Sequence, residues 1–419
     1  PSIVPKTERL MKIAILSYRS NPFSGGQGIY VRHLSNSLVE LGHEVYVISG
    51  PPYPDVRHEV TLIKIPSLDL FSVESRIKAF KLSFLISLTN LIEWLGIMTG
   101  GFPEPYTFGR RLKKFLESSN IKFDVILDNQ SLCYALEDIQ NEYPLVTTIH
   151  HPITKDHKLE LEGSRNWKER LSTNRWHGFL RMQKKVAPNL KHIITISNPS
   201  KEDIQAEFKI EEDSIEMIWN GIDIDTFKVR DDKKIIENRI VTTASADIPL
   251  KGLKYLIASL PSIIKEFPLT HLKVIGTSPQ DSIMRALISD LDLNDKVSFN
   301  SELTESEVVD IYSSADIAVI PSLYEGFGFG AGEAMACGVP LISTTSGGLK
   351  DVIGDAAIKI EAESSDSISK AVIDLFSDDQ KKVHYSKIGR ARIEKEFSWN
   401  SAARKYLEVF EKAIDGFKK

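Results

Sequence analysis

Glu325 and Glu333 bracket a run made mostly of glycine, with Gly326, Gly328, Gly330 and Gly332 alternating with Phe327, Phe329 and Ala331. The run follows an apolar stretch at 316–320 that reads as a buried strand, and it leads into small residues at 334–338 that read as helix. Where a strand hands over to a helix, glycines leave unpaired amides open to close approach, and the helix dipole adds to their pull on an anion. Phosphate suits such a cradle. A carboxylate at each end asks for something more, because carboxylates accept hydrogen bonds from hydroxyls. A diphosphate with a polyol on either side, the layout of a nucleotide sugar, meets both demands. If helical throughout, the interval would rise about 12 Å, an upper bound that still separates a sugar from a ribose.

Weaker signals accompany this one. Lys251, followed by Gly252, comes after an apolar stretch at 240–244 and offers a point charge to phosphate, although a lone Lys-Gly pair is more often plain surface. Gly25, Gly26 and Gly28 follow the first apolar stretch without the G-x-G-x-x-G spacing, and the next strand ends in Ser49 and Gly50 with no acidic residue for a ribose, so a nicotinamide cofactor is not expected. That loop is either a tight turn or a backbone approach to phosphate. His150 ends the stretch 145–149 and is the best polar candidate of the N-terminal half, with a structural role as the duller reading. Asn220, in the run Asn220 to Asp223, reads by itself as an ordinary turn. Asp223 with Asp225 and Asp290 with Asp292 mimic metal-binding D-x-D pairs, but three letters match too easily to carry a metal site.

The elements that must hold these residues alternate. Apolar strands are expected at 12–17, 44–49, 123–127, 145–149 and 192–196, with a helix at 29–41 closed by Gly42, and the pattern resumes with strands at 240–244, 272–275, 297–299, 316–320 and 339–343. A capping box, Thr304 with Glu307, opens the helix before 316. Such alternation predicts α/β architecture with two doubly wound parallel sheets: an N-terminal domain at 11–208, a C-terminal domain at 209–398, and a last helix at 399–419. Doubly wound sheets bind ligands beyond the carboxyl ends of their strands, where Gly25 and Gly26, His150, Lys251 and Glu325 lie.

At 419 residues the chain exceeds one ordinary core. Its 42% apolar and 26% charged residues describe a globular protein, and a net charge of −5 gives no general attraction to nucleic acid. The two cysteines, Cys133 and Cys337, lack metal-ligand spacing and fit a reducing compartment, so a cytoplasmic location is expected. No secretory signal is legible in 1–10, and charged residues interrupt the most apolar stretch, 79–102, before it could span a bilayer.

Gly25 and Gly26, His150, Asn220 to Asp223, Lys251 with Gly252, and Glu325 to Glu333, in that order, resemble the retaining glycosyltransferases of family 4, which have the GT-B fold. The resemblance covers nearly the whole chain from Met11, and the E-x7-E element is its specific part. It implies two Rossmann-like domains facing across a cleft, a UDP- or GDP-linked sugar as co-substrate, no other cofactor, no required metal, and a final helix that returns to the first domain. It also implies roles: Glu325 touches the transferred sugar, Glu333 accepts from the ribose, and Gly328, Phe329 and Gly330 give amides to the diphosphate and sugar. Lys251 neutralises the diphosphate, Gly25 and Gly26 bring backbone close to it, Asn220 belongs to the donor site, and His150 contacts the sugar.

One departure stands out. The family usually carries an arginine five or six residues before the lysine, and this chain has Ala246 and Ser245 there. Either another cation substitutes, with Arg19 the candidate, or the donor is held more weakly. The segment 76–114, with Trp94, Phe102, Tyr106 and the basic run from Arg110 to Lys114, raises a lipid or lipid-linked acceptor and peripheral contact with the inner face of an anionic membrane, against an internal lid. Alternatives remain: a sugar-nucleotide epimerase, or a silent relative that binds nucleotide sugar without turnover.

Overall fold

Short runs of Ile, Val and Leu, buried on both faces, build two separate parallel sheets in the computed structural model, which describes residues 9–21, 26–70, 81, 84, 87–164, 166–230, 232–245, 248–279 and 282–418. Two compact units result, one of Pro1–Thr195, Lys201–Ile218 and Ala402–Lys419, the other of Ile196–Ser200 and Trp219–Ser401.

The first unit runs β1 (Lys12–Ser17), α1 (Gly26–Glu40), β2 (Glu44–Ser49), β3 (Thr61–Lys64), α2 (Leu88–Met98), α3 (Glu104–Ser118), β4 (Val125–Asn129), α4 (Ala135–Glu142), β5 (Leu145–Thr148), α5 (Thr154–Gly163), α6 (Trp167–Trp176), α7 (Leu180–Val186), β6 (Ile193–Thr195), α8 (Asn198–Phe208) and β7 (Ile215–Met217). Its strands lie in the order β3-β2-β1-β4-β5-β6-β7, all parallel, with Ile13 beside Val45 on one side and Val125 on the other. The direction of winding reverses between β1 and β4, the position at which doubly wound sheets open a crevice.

The second unit repeats the scheme with β8 (Arg239–Thr243), α9 (Leu253–Glu266), β9 (His271–Ile275), α10 (Ile283–Asp290), β10 (Val297–Asn300), α11 (Glu305–Ser313), β11 (Ile317–Ile320), α12 (Phe329–Ala336), β12 (Leu341–Ser343), α13 (Leu349–Ile353), β13 (Ile358–Lys359), α14 (Ser365–Phe376) and α15 (Asp379–Glu396). Its order is β10-β9-β8-β11-β12-β13, so the reversal falls between β8 and β11. Helix α16 (Trp399–Phe417) starts in this unit, and from Ala402 onward it belongs to the first.

Two expectations shift. Helix α1 starts at Gly26, so Gly26 and Gly28 are helical rather than loop. The chain can coil there because a Cβ on Gly28 would lie 2.0 Å from the Asn21 carbonyl oxygen, a contact that only glycine permits. The first sheet also runs past Phe208, because β7 pairs with β6 through Ile193 and Ile215. Gly25 and Ala246 lie outside the described residues.

Candidate functional site

The loops that follow β8 and β11, the strands flanking the reversal of the second sheet, meet side by side. Leu323 donates its amide to the Leu250 carbonyl at 2.7 Å, and Gly252 takes φ +65° with a Cβ position 2.0 Å from the Pro321 carbonyl oxygen. Any side chain at 252 would part the two loops. Their contact brings the Lys251 ammonium to 2.6 Å from Glu325 Oε1, which also accepts from the Ser322 hydroxyl at 2.9 Å. The backbone of Glu325 is clasped as well: its carbonyl accepts from the Gly348 amide at 2.7 Å, beside Gly347 at φ +61°.

Past Glu325 the chain turns into α12 at Gly328, φ +108°, where no side chain caps the first turn. The Gly328 carbonyl accepts from Ala331 and Gly332, which leaves the amides ahead of them, on Phe329 and Gly330, without intrahelical partners. Gly330 brings this end of the helix against the end of β8, since a Cβ there would lie 3.0 Å from Thr243 Cβ and Oγ1. Aromatic contacts hold the turn. Phe327 meets Phe329 edge-on at 5.1 Å, Phe329 stacks on Trp399 at 6.4 Å, and Phe327 lies 6.0 Å from Phe397. The Gly326 carbonyl accepts from Ser197 at 2.9 Å and Ser200 at 3.4 Å.

Glu333, one turn into α12, is half-buried, and desolvation followed by the nearby Glu305 charge pushes its carboxyl up to about 7, against the opposing pull of Lys251 and a hydrogen bond from Tyr312. The Tyr312 hydroxyl is buried, donates to the Gly330 carbonyl at 3.2 Å and shares a 2.7 Å bond with Thr243. Asn220 is 1% exposed, and neither its amide nitrogen nor its amide oxygen has a hydrogen-bond partner among the described residues. It adjoins Gly221, where a Cβ would lie 2.3 Å from the Trp399 nitrogen. Glu325, Lys251, Gly328, Phe329, Gly330 and Glu333 therefore share one neighbourhood. Sequence reasoning missed Tyr312, Thr243, Ser197, Ser200 and Ser322. A tyrosine on the apolar face of α11 reads as core, and lone serines carry no spacing signal.

The first unit presents its candidates at the carboxyl ends of its own strands. His150 follows β5, is buried edge-on to Tyr30 at 4.7 Å, and shares a 2.7 Å Nε2 contact with Asn129 Oδ1. Burial, with a smaller contribution from His151, drives its pKa down to about 3, so the imidazole is neutral. Arg19, the candidate substitute cation, donates to Glu104 Oε2 at 3.3 Å, and its charge is countered there. Burial pushes the Glu104 carboxyl up to about 7 despite that arginine. Of the basic run after Tyr106, Arg111 donates to Asn90 Oδ1 at 2.8 Å and pairs with the buried Glu93, Arg110 bonds Thr89 at 3.0 Å, and Lys113 pairs with Asp138. These bonds draw it onto its own unit. No helix among the described residues is long and apolar enough to cross a membrane. Asp223 Oδ1 accepts from the amides of Asp225 and Thr226 at 3.1 Å, so this carboxylate closes a local turn.

Comparison with known proteins bears on the family and the fold. The model for Glycosyltransferase Family 4 matches residues 24–226, and that for Glycosyl transferases group 1 matches 225–392. An MMP alpha-(1->4)-mannosyltransferase of Mycolicibacterium hassiacum is 38% identical over 96% of this chain and 98% of its own. The chain belongs to glycosyltransferase family 4. Solved structures place this family 4 glycosyltransferase in the GT-B fold class: a sucrose-phosphate synthase from Thermosynechococcus elongatus superposes with a TM-score of 0.74 at 20% identity, covering 97% of this chain and all of that one, 100%. Anabaena HepE in complex with UDP and glucose superposes at 0.70 with 16% identity, over 96% and 100%.

Proposed function

We propose that this glycosyltransferase moves a mannosyl group from a UDP- or GDP-linked donor to an acceptor hydroxyl with retention of anomeric configuration, and without a required metal. The observation that carries the reading is Lys251 and Glu325 in contact beside the uncapped start of α12. The diphosphate lies against the amides of Phe329 and Gly330, where the helix dipole favours negative charge. An ammonium has three donors, so Lys251 can hold Glu325 and a phosphate oxygen together. Glu325 then accepts from hydroxyls of the transferred sugar, and Glu333 from the ribose diol. Asn220 is assigned to the same donor, with a buried amide in want of a partner. Mannose as the sugar follows the relative in Mycolicibacterium hassiacum.

In the reaction, the acceptor oxygen forms a bond to the anomeric carbon on the face from which the diphosphate departs. The bond from that carbon to the phosphate oxygen breaks, and the acceptor proton passes to the departing oxygen. Two features favour retention. Glu325 is already bound to Lys251 and Ser322, which suits positioning better than nucleophilic attack, and His150, with a pKa of about 3, is too weak a base to activate an acceptor. Donor amides and Lys251 act where charge builds on the leaving group, so they lower the barrier rather than only tightening binding.

The test is a panel of GDP-mannose, UDP-glucose and other nucleotide sugars in the presence of a chelator, with the product anomer read by proton NMR. An α-linked product from an α-linked donor, formed equally well with chelator, is expected. A β-linked product ends the retention reading, and sugar interconversion without acceptor indicates an epimerase.

A further inference from the structure

The carboxyl ends of β1 and β4, the strands at the reversal of the first sheet, carry buried polar side chains that the mechanism above does not use. Ser17, Ser20 and Asn129 are fully buried and Gln130 nearly so. Asn129 and Gln130, neighbours in sequence, hold His150 in two different ways. Gln130 holds its backbone: the Gln130 amide oxygen accepts from the His150 N–H at 2.7 Å, and its amide nitrogen donates to the His151 carbonyl, also at 2.7 Å. Asn129 holds the ring, through the contact between its Oδ1 and His150 Nε2. Tyr30, edge-on to the imidazole, fixes the plane of that ring.

Which ring nitrogen carries the hydrogen follows from a count of protons. The Ser17 hydroxyl has one hydrogen, and it goes to the Arg19 carbonyl at 3.0 Å. Toward its other neighbours Ser17 Oγ can then only accept, as it does from the Ser20 hydroxyl at 2.7 Å and from Asn129 Nδ2 at 3.3 Å. The NH2 end of Asn129 is thereby committed to Ser17. Its oxygen, which has no hydrogen to give, is left facing His150. Nε2 must donate to that oxygen, and a neutral imidazole with hydrogen on Nε2 has its lone pair on Nδ1. Nδ1 makes no hydrogen bond among the described residues and is not sealed off from solvent. It is the edge of the ring left for a ligand.

We infer that Asn129, anchored by Ser17, is a positioning residue that makes His150 a hydrogen-bond acceptor at Nδ1, so that the group His150 meets on a bound nucleotide sugar is a hydroxyl and not a phosphate oxygen. This rests on the transferase reading above and fixes the polarity of one of its contacts. An ionised phosphate oxygen has no hydrogen to offer, and two lone pairs facing each other repel. His150 therefore does not replace the arginine that the family usually carries near position 246. Burial keeps the ring neutral, with a pKa of about 3, so acid conditions do not turn the acceptor into a donor in the working pH range.

Two measurements on the full chain test it. In protein labelled with 15N-histidine, with the His150 signals assigned by their loss in His150→Ala, the shifts of the two ring nitrogens report the tautomer. A single Nε2–H form is expected, and an Nδ1–H ring or a mixture overturns the proposal. Calorimetry then compares GDP-mannose with GDP, and UDP-glucose with UDP. In Asn129→Leu, which removes the acceptor at nearly constant volume, affinity for the nucleotide sugar falls about five- to tenfold, the scale of one hydrogen bond, while affinity for the nucleoside diphosphate is unchanged. Made in the His150→Ala background, the same substitution has no further effect, because Asn129 acts only through the ring. No loss in Asn129→Leu, an equal loss for both kinds of nucleotide, or a loss that persists without His150 overturns the proposal. A wild type that binds neither nucleotide sugar counts against the transferase reading instead, and the tautomer still decides the role of Asn129, so the two failures are distinct.

Discussion

Glu333 shows how burial sets the chemistry of one side chain. Its carboxyl, held at about 7 instead of the usual 4.5, loses its proton within the working pH range. Only the carboxylate accepts from both ribose hydroxyls, so nucleotide affinity measured by calorimetry should rise between pH 6 and pH 8. Glu333→Gln should bind more weakly and flatten that dependence, and a wild-type affinity that does not vary with pH would remove Glu333 from the ribose. The stability linkage has the opposite sense. The folded chain holds this proton more tightly than the unfolded one, so the contribution is present below pH 4.5 and is lost as pH climbs through 7. Lys251 is a catalytic residue in the proposed mechanism, and Lys251→Ala should lower kcat/KM by about 10²–10³ with little change in melting temperature, because its pair with Glu325 is partly exposed. A loss below threefold would place the lysine on the surface, where the Lys-Gly pair alone suggested it belonged.

Elements act through where they permit contact. The turn at Gly252 joins the β8 and β11 loops, and its left-handed backbone over Pro321 leaves no room for a side chain. Gly252→Ala should cost about 1–2 kcal/mol for the left-handed conformation and more for the clash, and it should weaken donor binding by moving Lys251 away from Glu325. Chemical denaturation with donor titration checks both, and a variant as stable and as tightly binding as wild type would show that the loops meet by other means. The strands and the capping box of α11, which forms with Thr304 and Glu307 as the spacing implied, follow local sequence. Strands β3, β7 and β13 gave no signal. They are short, and all three are sheet edges, so they lack the double burial that writes a continuous apolar run.

At the scale of the whole molecule, the chain ends by completing the unit with which it began. Tyr406 and Phe410 of α16 are fully buried in the first unit, where the Tyr30 hydroxyl donates to Tyr406 at 3.0 Å and Thr148 lies 3.2 Å from the same oxygen. Tyr406→Phe breaks that buried network at a cost of about 1–2 kcal/mol. Hydrogen exchange should show faster opening of β5 and α1 with the second sheet unaffected, and uniform change across both sheets would mean that the two units unfold as one. Because α16 starts at Trp399, stacked on Phe329 at the start of α12, one helix carries residues of both units.

Sequence by itself determined the α/β alternation, the two sheets and the glycine-lined strand-to-helix turn between Glu325 and Glu333, because continuous apolar strands and glycines at such a turn are local properties of the chain. Tertiary structure alone decided that Lys251 reaches Glu325, that Tyr312 backs Glu333, that His150 stays neutral, and that Arg19 is held by Glu104. Each depends on burial or on contact between distant segments, and neither distance nor dielectric is written in residue order.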